Sequence, residues 1–474
     1  MNSIWDYGIH LALIVLWFLY QYGLVWGVVY MLIAGYLFDQ ALRLFGYQRI
    51  VSIDTQLAYY GEEFNTNICV FMEIDKITHK ELQDKVFQRA VTAIPRMSQV
   101  PVRICGMYFW KQVDVSLGKA QIVRDDKVLK DENDAHQYMN ELGNQRLDPD
   151  KPQFEFRLVE DYTKETSIIF YRSTHIFCDG VGVSNLFSTI NDNQFEGTYE
   201  KKVFKPNLFE QVYLLARSPY GFMKEFLEIV CSMESDEQAM KLTQSKSSIN
   251  PGDNYFQSEI DVPFGKVQKC YRQYQGMTFN DFMLAIIGKT LHETCEKHGI
   301  KGAKAMRAAI PANFKVPPTG YHDLQITNNL TGFGITVPFE PDLQKSMNQM
   351  KPTLKKLLDP YLLYQAKYYH SIVLPYAPAF YARSEAIAFI EGDNLLVSNI
   401  PISKSEYSIN GKIIRKMRLY NNTMVDFKVS FFIITYANRV SVTTCIRKDV
   451  DIDGQALIDL VMTNLDKEVM KFDE

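Results

Sequence analysis

Two patterns of apolar and polar positions divide the chain. From Tyr7 to Phe38 no Asp, Glu, Lys or Arg interrupts a run of aliphatic and aromatic residues, and a charge-free run longer than roughly 20 residues is the signature of a membrane helix. A tilted single span, a span with an interfacial turn and a short hairpin bending near Tyr22-Gly23 all satisfy this length. Trp5, Trp17 and Trp26 suit the membrane–water boundary, and Arg43 and Arg49 follow the run. By the positive-inside tendency these arginines place the remainder of the chain in the cytosol. A cleaved signal peptide fits less well, because no Lys or Arg precedes the stretch.

After residue 50 the periods shorten to those of strands and amphipathic helices in mixed order, without a repeat. Asn67 to Ile74 reads as a strand. Thr78-x-x-Glu81 is a capping box that opens a helix with Leu82, Val86, Ala90 and Ile94 on one face, ended by Pro95. Phe154 to Val159 and Ser167 to Thr174 read as two strands joined by the polar turn Asp161 to Lys164. Asn410-Gly411 and Ala437-Asn438 each sit between apolar runs as hairpin turns. The charged, Ser-rich segment Met233 to Asn254, with its Pro251-Gly252, is the best linker. The expected organisation is a membrane anchor (1–50), a first α/β unit (51–232), a linker (233–254) and a second unit (255–474).

Composition narrows the functional classes. Hydrophobic residues at 47% and charged residues at 22% are those of a chain that folds around large cores rather than a disordered one. A net charge of -4 and a pI near 6.1 give no basic field, which argues against nucleic acid as a partner. The seven cysteines (69, 105, 178, 231, 270, 295, 445) are scattered, with no C-x-x-C spacing. Neither a disulfide framework nor a metal site is indicated, in keeping with a cytosol-facing chain. No G-x-S-x-G, H-E-x-x-H or P-loop is present, and Gly180-Val-Gly182 lacks the third glycine of a dinucleotide fingerprint.

One short segment carries chemistry. Thr174-His175-Ile-Phe-Cys-Asp179-Gly180 places an imidazole where a strand ends, a carboxylate four residues later, and a glycine that lets the backbone turn. Histidine suits general-base work because its ordinary pKa lies near neutrality. In this reading His175 faces a cavity, while Asp179 points away and fixes the loop. By itself the pattern is also met by an ordinary structural histidine. Cys178, inside the motif, admits an acyl-cysteine intermediate, although burial as a small apolar residue is the better reading. Lys412, Arg415, Lys416 and Arg418 offer a contact for phosphate or anionic lipid, or a solvated strand edge. The aromatic run Tyr361 to Tyr381 reads as core packing before it reads as a tunnel wall.

Around this segment the sequence resembles the wax ester synthase / diacylglycerol acyltransferase family. That family belongs to the superfamily that includes chloramphenicol acetyltransferase, the plant alcohol acyltransferases and peptide condensation domains. The likeness spans roughly residues 52–466. It rests on Arg146 to Phe154 followed by Phe156-Arg-Leu-Val159, on the His175 segment, which is similar to the HHxxxDG motif, on Met306 to Lys315, on Asn328-Asn329 before Val337-Pro338, on Val397 to Pro401, and on Ile434 to Arg439. The resemblance implies two similar chloramphenicol-acetyltransferase-like α/β domains, with mixed sheets flanked by helices and an active-site tunnel between them. It implies His175 as catalytic base, Asp179 as structural support beside Gly180, and Asn329 as the matching residue of the second motif, a candidate for oxyanion or substrate contact. Arg307 is a candidate partner for Asp179 across the domain seam. Thr174 replaces the first His of the pair, Phe154 the Trp of the PLW segment, and Lys315 stands where an Arg is common. The function implied is transfer of a long-chain acyl group from acyl-CoA, a co-substrate and not a bound cofactor, to a fatty alcohol or diacylglycerol. The expected site is the endoplasmic-reticulum or lipid-droplet membrane. The competing reading is a non-catalytic lipid-binding or transfer module of the same fold.

Overall fold

The computed structural model describes residues 33–51, 53–62, 64–197, 199, 206–214, 216, 236–246, 252–357, 359–368, 394–422 and 427–472. Three sheets organise them. In the first, the order is β12 (Ser408–Ile409), β13 (Lys412–Asn421), β2 (Asn67–Asp75), β7 (Thr166–Thr174), β6 (Phe154–Val159) and β5 (Ile122–Arg124). In the second it is β10 (Leu330–Pro338), β9 (Ala305–Asn313), β11 (Leu395–Ser403), β14 (Val429–Tyr436), β15 (Arg439–Arg447) and β8 (Asp253–Pro263). A small third sheet joins β1 (Tyr47–Arg49), β4 (Met107–Gln112) and β3 (Gln99–Ile104).

Local chemistry sets most of these elements. The Thr78–Glu81 capping box forms and starts helix His79–Val86. Leu82, Val86, Ala90 and Ile94 are buried along one face, and the helix widens to a π turn at Phe87–Val91 before Pro95. The β6–β7 hairpin pairs Phe154 with Ser173 through to Val159 with Ile168. Asn410 and Gly411, with φ of 52° and 76°, and Ala437 and Asn438, with φ of 49° and 59°, take the left-handed backbone that two-residue hairpin turns require. Asn and Gly adopt it readily; Ala437 does not, and strand pairing on both sides holds it there.

The division of sheets departs from the division of the chain. Strands β12 and β13 leave the second half and complete the first sheet, β13 pairing antiparallel with β2 from Ile414 to Asn421. The sheets then pack on each other, with Cys69, Phe71 and Tyr420 of one against Ala309, Leu396 and Phe432 of the other. Within the expected linker, residues 236–246 belong to the second unit's packing: helix Glu237–Met240 and the turn after it bury Ala239 and Leu242 in its core, and Ser245 bridges to Val450. Asp253, near the linker's end, already begins β8.

Most of the charge-free run, residues 7–32, lies outside the described residues, including the Tyr22-Gly23 position of the alternative hairpin bend. Residues 33–44 are helical, and no helix among the described residues is long and apolar enough to cross a membrane. The end of the apolar run docks on the third sheet. Phe38 meets Phe109 edge-on at 6.2 Å, and Asp39 forms a buried ion pair with Arg49 at 2.8 Å. Ile33, Tyr36 and Leu37 stay exposed.

Candidate active site

Strand β7 ends at Thr174, and the chain turns through 175–179 into helix Gly180–Ile190. The backbone of this turn is tied down on both sides: the His175 N–H donates to the Thr66 carbonyl at 2.8 Å, and its carbonyl accepts from Asn328 Nδ2 at 2.6 Å. The imidazole is half-buried and lines a cavity at the seam of the two large sheets. Its Nδ1 is buried without a hydrogen bond, which leaves Nε2 as the nitrogen able to meet a substrate. Burial lowers the His175 pKa below its ordinary 6.5, opposed chiefly by the Asp179 charge. The neutral imidazole therefore predominates near pH 7.

Asp179, expected to point away and fix the loop, borders the same cavity as His175, and its partners are specific. It caps the helix by accepting from Gly182 N at 2.7 Å. Its Oδ2 accepts from Asn313 Nδ2 at 2.9 Å and from the Asn329 N–H at 3.1 Å, and the Lys315 ammonium closes on Oδ1 in an ion pair almost wholly removed from solvent. Burial works to raise the Asp179 pKa, but the Lys315 charge and these donors hold it below the ordinary carboxylate value. Lys315 thus occupies the role that Arg307 was expected to fill. Arg307 sits opposite Thr336, six residues before Asn313 on β9, a distance of about 20 Å along a strand.

The other expected residues divide similarly. Gly180 lines the cavity, and a Cβ there would meet Ile400 Cδ1 at 2.5 Å, so this position admits only hydrogen unless Ile400 moves. Asn329 contributes its backbone N–H to Asp179, whereas its side chain bonds Gln325 at 3.1 Å and does not line the cavity. The neighbouring Asn328 makes the contact to the His175 turn. Cys178 is fully buried, and burial pushes its thiol up to about 12, which removes the thiolate a nucleophile needs. The basic stretch on β13 is engaged by acids: Arg415 with Asp75, Lys416 with Glu73, and Arg418 with Glu132. Among the described residues no group of three or more His, Cys, Asp and Glu is placed to hold a metal ion.

The cavity encloses about 1130 Å³ of empty space, its open mouth included. Helix Ile53–Gly61 roofs it with Ile53, Gln56, Leu57 and Tyr60; Ile68 and Leu419 face it from the first sheet, and Ile310, Leu396 and Phe432 from the second. Ser398 and Asn399 also line it, on the strand that carries Ile400. Gly180 and Val181, the first two residues of helix Gly180–Ile190, border the same space. A neutral imidazole and the start of a helix thus meet on the wall of a largely apolar cavity.

Comparison with known proteins agrees with this architecture. Residues 337–467 match the family model of the WS/DGAT C-terminal domain. A search of curated protein sequences returns no significant match. The fold is similar to that of the wax ester synthase/diacylglycerol acyltransferase from Marinobacter aquaeolei VT8, with a TM-score of 0.56 and 12% identity over 88% of this chain and 98% of that one. It is similar to the trichothecene 15-O-acetyltransferase of Fusarium sporotrichioides, with a TM-score of 0.63 and 11% identity over 90% and 95% of the two chains. It is also similar to the starter condensation domain of rhizomide synthetase solved with C8-CoA and Leu-SNAC, with a TM-score of 0.58 and 9% identity over 92% and 98%.

Proposed function

We propose, from the premise that this chain belongs to the wax ester synthase/diacylglycerol acyltransferase family through its WS/DGAT C-terminal domain at residues 337–467, that the protein is an acyl-CoA-dependent O-acyltransferase with a long-chain lipid alcohol as acceptor. The observation that carries this reading is the placement of a neutral His175 on the wall of a largely apolar cavity between the sheets. Nε2 takes the proton of the acceptor hydroxyl as its oxygen attacks the thioester carbonyl. The C–S bond then breaks, and the imidazolium returns the proton to the departing CoA thiolate. No covalent enzyme intermediate is needed. Acid–base help of this kind is worth about 10²–10⁴ in rate.

The rest of the acceleration comes from holding both substrates in attack geometry and from donors to the oxyanion. The Gly180 and Val181 N–H groups at the helix N-terminus supply such donors, and the apolar walls favour an alkyl chain over a polar acceptor. The Asn329 side chain, turned toward Gln325, is not assigned that role. Acyl-CoA is the co-substrate, and a fatty alcohol or a diacylglycerol is the acceptor.

A membrane location, at the endoplasmic reticulum or lipid droplets with the catalytic part in the cytosol, is part of the proposal. The charge-free run Tyr7–Phe38 and the exposed Ile33, Tyr36 and Leu37 at its end support it. The test is ester formation from labelled palmitoyl-CoA by membranes holding the protein, with hexadecanol and diacylglycerol compared as acceptors. Label in ester with either acceptor supports the reading. Labelled acyl-CoA that binds without forming ester favours the lipid-binding alternative, which the replacement of the motif's first His by Thr174 would then explain.

A further inference from the structure

The turn that carries His175 is also held through a second buried carboxylate. Asp54 lies in the first turn of the roof helix Ile53–Gly61 and is buried. Its Oδ2 accepts from Nη1 of Arg96 at 3.0 Å, and its Oδ1 accepts from the Asn328 N–H at 3.3 Å. The same Arg96 nitrogen donates to the Phe177 carbonyl at 2.8 Å, with the guanidinium 4.7 Å from the centre of the Trp110 ring. Asn328 in turn donates to the His175 carbonyl at 2.6 Å. One carboxylate is therefore linked, through a single residue in each case, to the carbonyls of both His175 and Phe177.

The chemistry of this link favours a positioning task. The Asp54–Arg96 pair is nearly dry, with 4% and 14% of the side chains exposed. For packing alone, apolar residues of the same volume would serve such a place as well. A guanidinium stacked on an aromatic ring has one orientation and directs its remaining donors rigidly; here they meet the turn that carries the base. The helix that bears Asp54 also presents Gln56, Leu57 and Tyr60 to the cavity.

We propose that Asp54, acting through Arg96 and Asn328, is a positioning residue that sets how His175 projects into the passage and couples the roof helix to that turn. Its kinetic consequence rests on the acyl-transfer reading; its structural consequence does not. A displacement of the base on the order of 1 Å costs about 10²-fold in rate.

The test uses the full-length protein with Asp54→Asn, which keeps the side-chain shape, and with Asp54→Asn/Arg96→Gln, which removes both charges so that neither is left buried alone. Amide hydrogen exchange at residues 174–180 is expected to rise by about tenfold or more, while strands β14 and β15 keep wild-type protection. With palmitoyl-CoA and hexadecanol, kcat per folded molecule, with the folded fraction taken from the wild-type protection of β14 and β15, is expected to fall on the order of 10–100-fold with the palmitoyl-CoA KM within about twofold; the normalisation is needed because loss of folded protein alone also lowers apparent kcat at constant KM. Adding Asn328→Ala to Asp54→Asn is expected to cost less than the two single losses combined, because part of the effect passes through Asn328. Wild-type exchange at 174–180 in both variants, or an unchanged kcat in a wild type that does make ester, overturns the inference. Raised exchange with no ester from the wild type leaves the positioning role standing and removes the acyl-transfer reading instead.

Discussion

Replacing Lys315 by Met tests the buried clamp behind His175 and has a sign that depends on pH. The ammonium and the Asp179 carboxylate have side-chain exposures of 0% and 2%, so neither charge is screened by water. Met keeps much of the apolar stem and removes only the charge. Asp179 is then left with three neutral donors, Gly182 N, Asn329 N and Asn313 Nδ2, and breaking a buried pair in this way costs about 3–5 kcal/mol. With a urea slope of about 3 kcal/mol per molar, the unfolding midpoint falls on the order of 1 M.

The pH dependence separates this cause from a packing defect. In the wild type the Asp179 pKa lies below its ordinary 3.8. The pair's stabilisation is therefore complete above that ordinary value and is lost as pH falls through the depressed one. Without the cation, burial dominates and raises the Asp179 pKa, so the folded variant binds a proton more readily than the unfolded chain does. The variant's deficit is then largest near neutrality and shrinks as pH falls toward the raised value. Urea unfolding followed by tryptophan fluorescence across the acid-to-neutral range reads both quantities. A deficit under about 1 kcal/mol at neutral pH, or one that grows on acidification, refutes the reasoning.

Three further outcomes follow from the same geometry. Gly180→Ala places a methyl group 2.5 Å from Ile400 Cδ1 and is expected to cost about 1–3 kcal/mol of stability together with most turnover; Ile400→Val, which removes that atom, restores part of both, as unfolding and ester assays on the double variant will show. The pH profile of kcat/KM is expected to have an acid limb below 6.5, because burial depresses the His175 pKa and only the neutral form accepts a proton; a limb at or above 6.5 contradicts that environment. Cys178→Ala is expected to retain substantial turnover and wild-type pH dependence, since a thiol pushed up to about 12 and fully buried takes no part in the reaction; complete loss in a folded variant would reopen the acyl-cysteine route.

What the sequence showed and what it hid follow from the range of the interactions. The two-residue turns, the Thr78–Glu81 box and the β6–β7 hairpin are each fixed by residues within a few positions, and all are present. The His175 to Gly180 segment was legible for the same reason: strand end, cap and glycine are contiguous. The cation for Asp179 was not, because Lys315 is 136 positions away. Pattern alone does not say which of two basic residues on the Met306 to Lys315 segment ends beside it; the strand spacing that separates Arg307 from Asn313 does. The motif likewise points to Asn329, whereas Asn328 holds the His175 carbonyl, since neighbouring residues in a loop point in unrelated directions. The passage of β13 into the first sheet, and the Asp54–Arg96 link, are products of tertiary packing with no local signature.

The most direct test of the central claim is a single-turnover measurement of ester formation from palmitoyl-CoA and hexadecanol or diacylglycerol, comparing wild type with His175→Ala at equal amounts of folded, acyl-CoA-loaded protein. The account predicts that the variant binds palmitoyl-CoA as the wild type does and forms ester about 10²–10⁴ times more slowly or not at all. Equal rates of ester formation in the two proteins would contradict it.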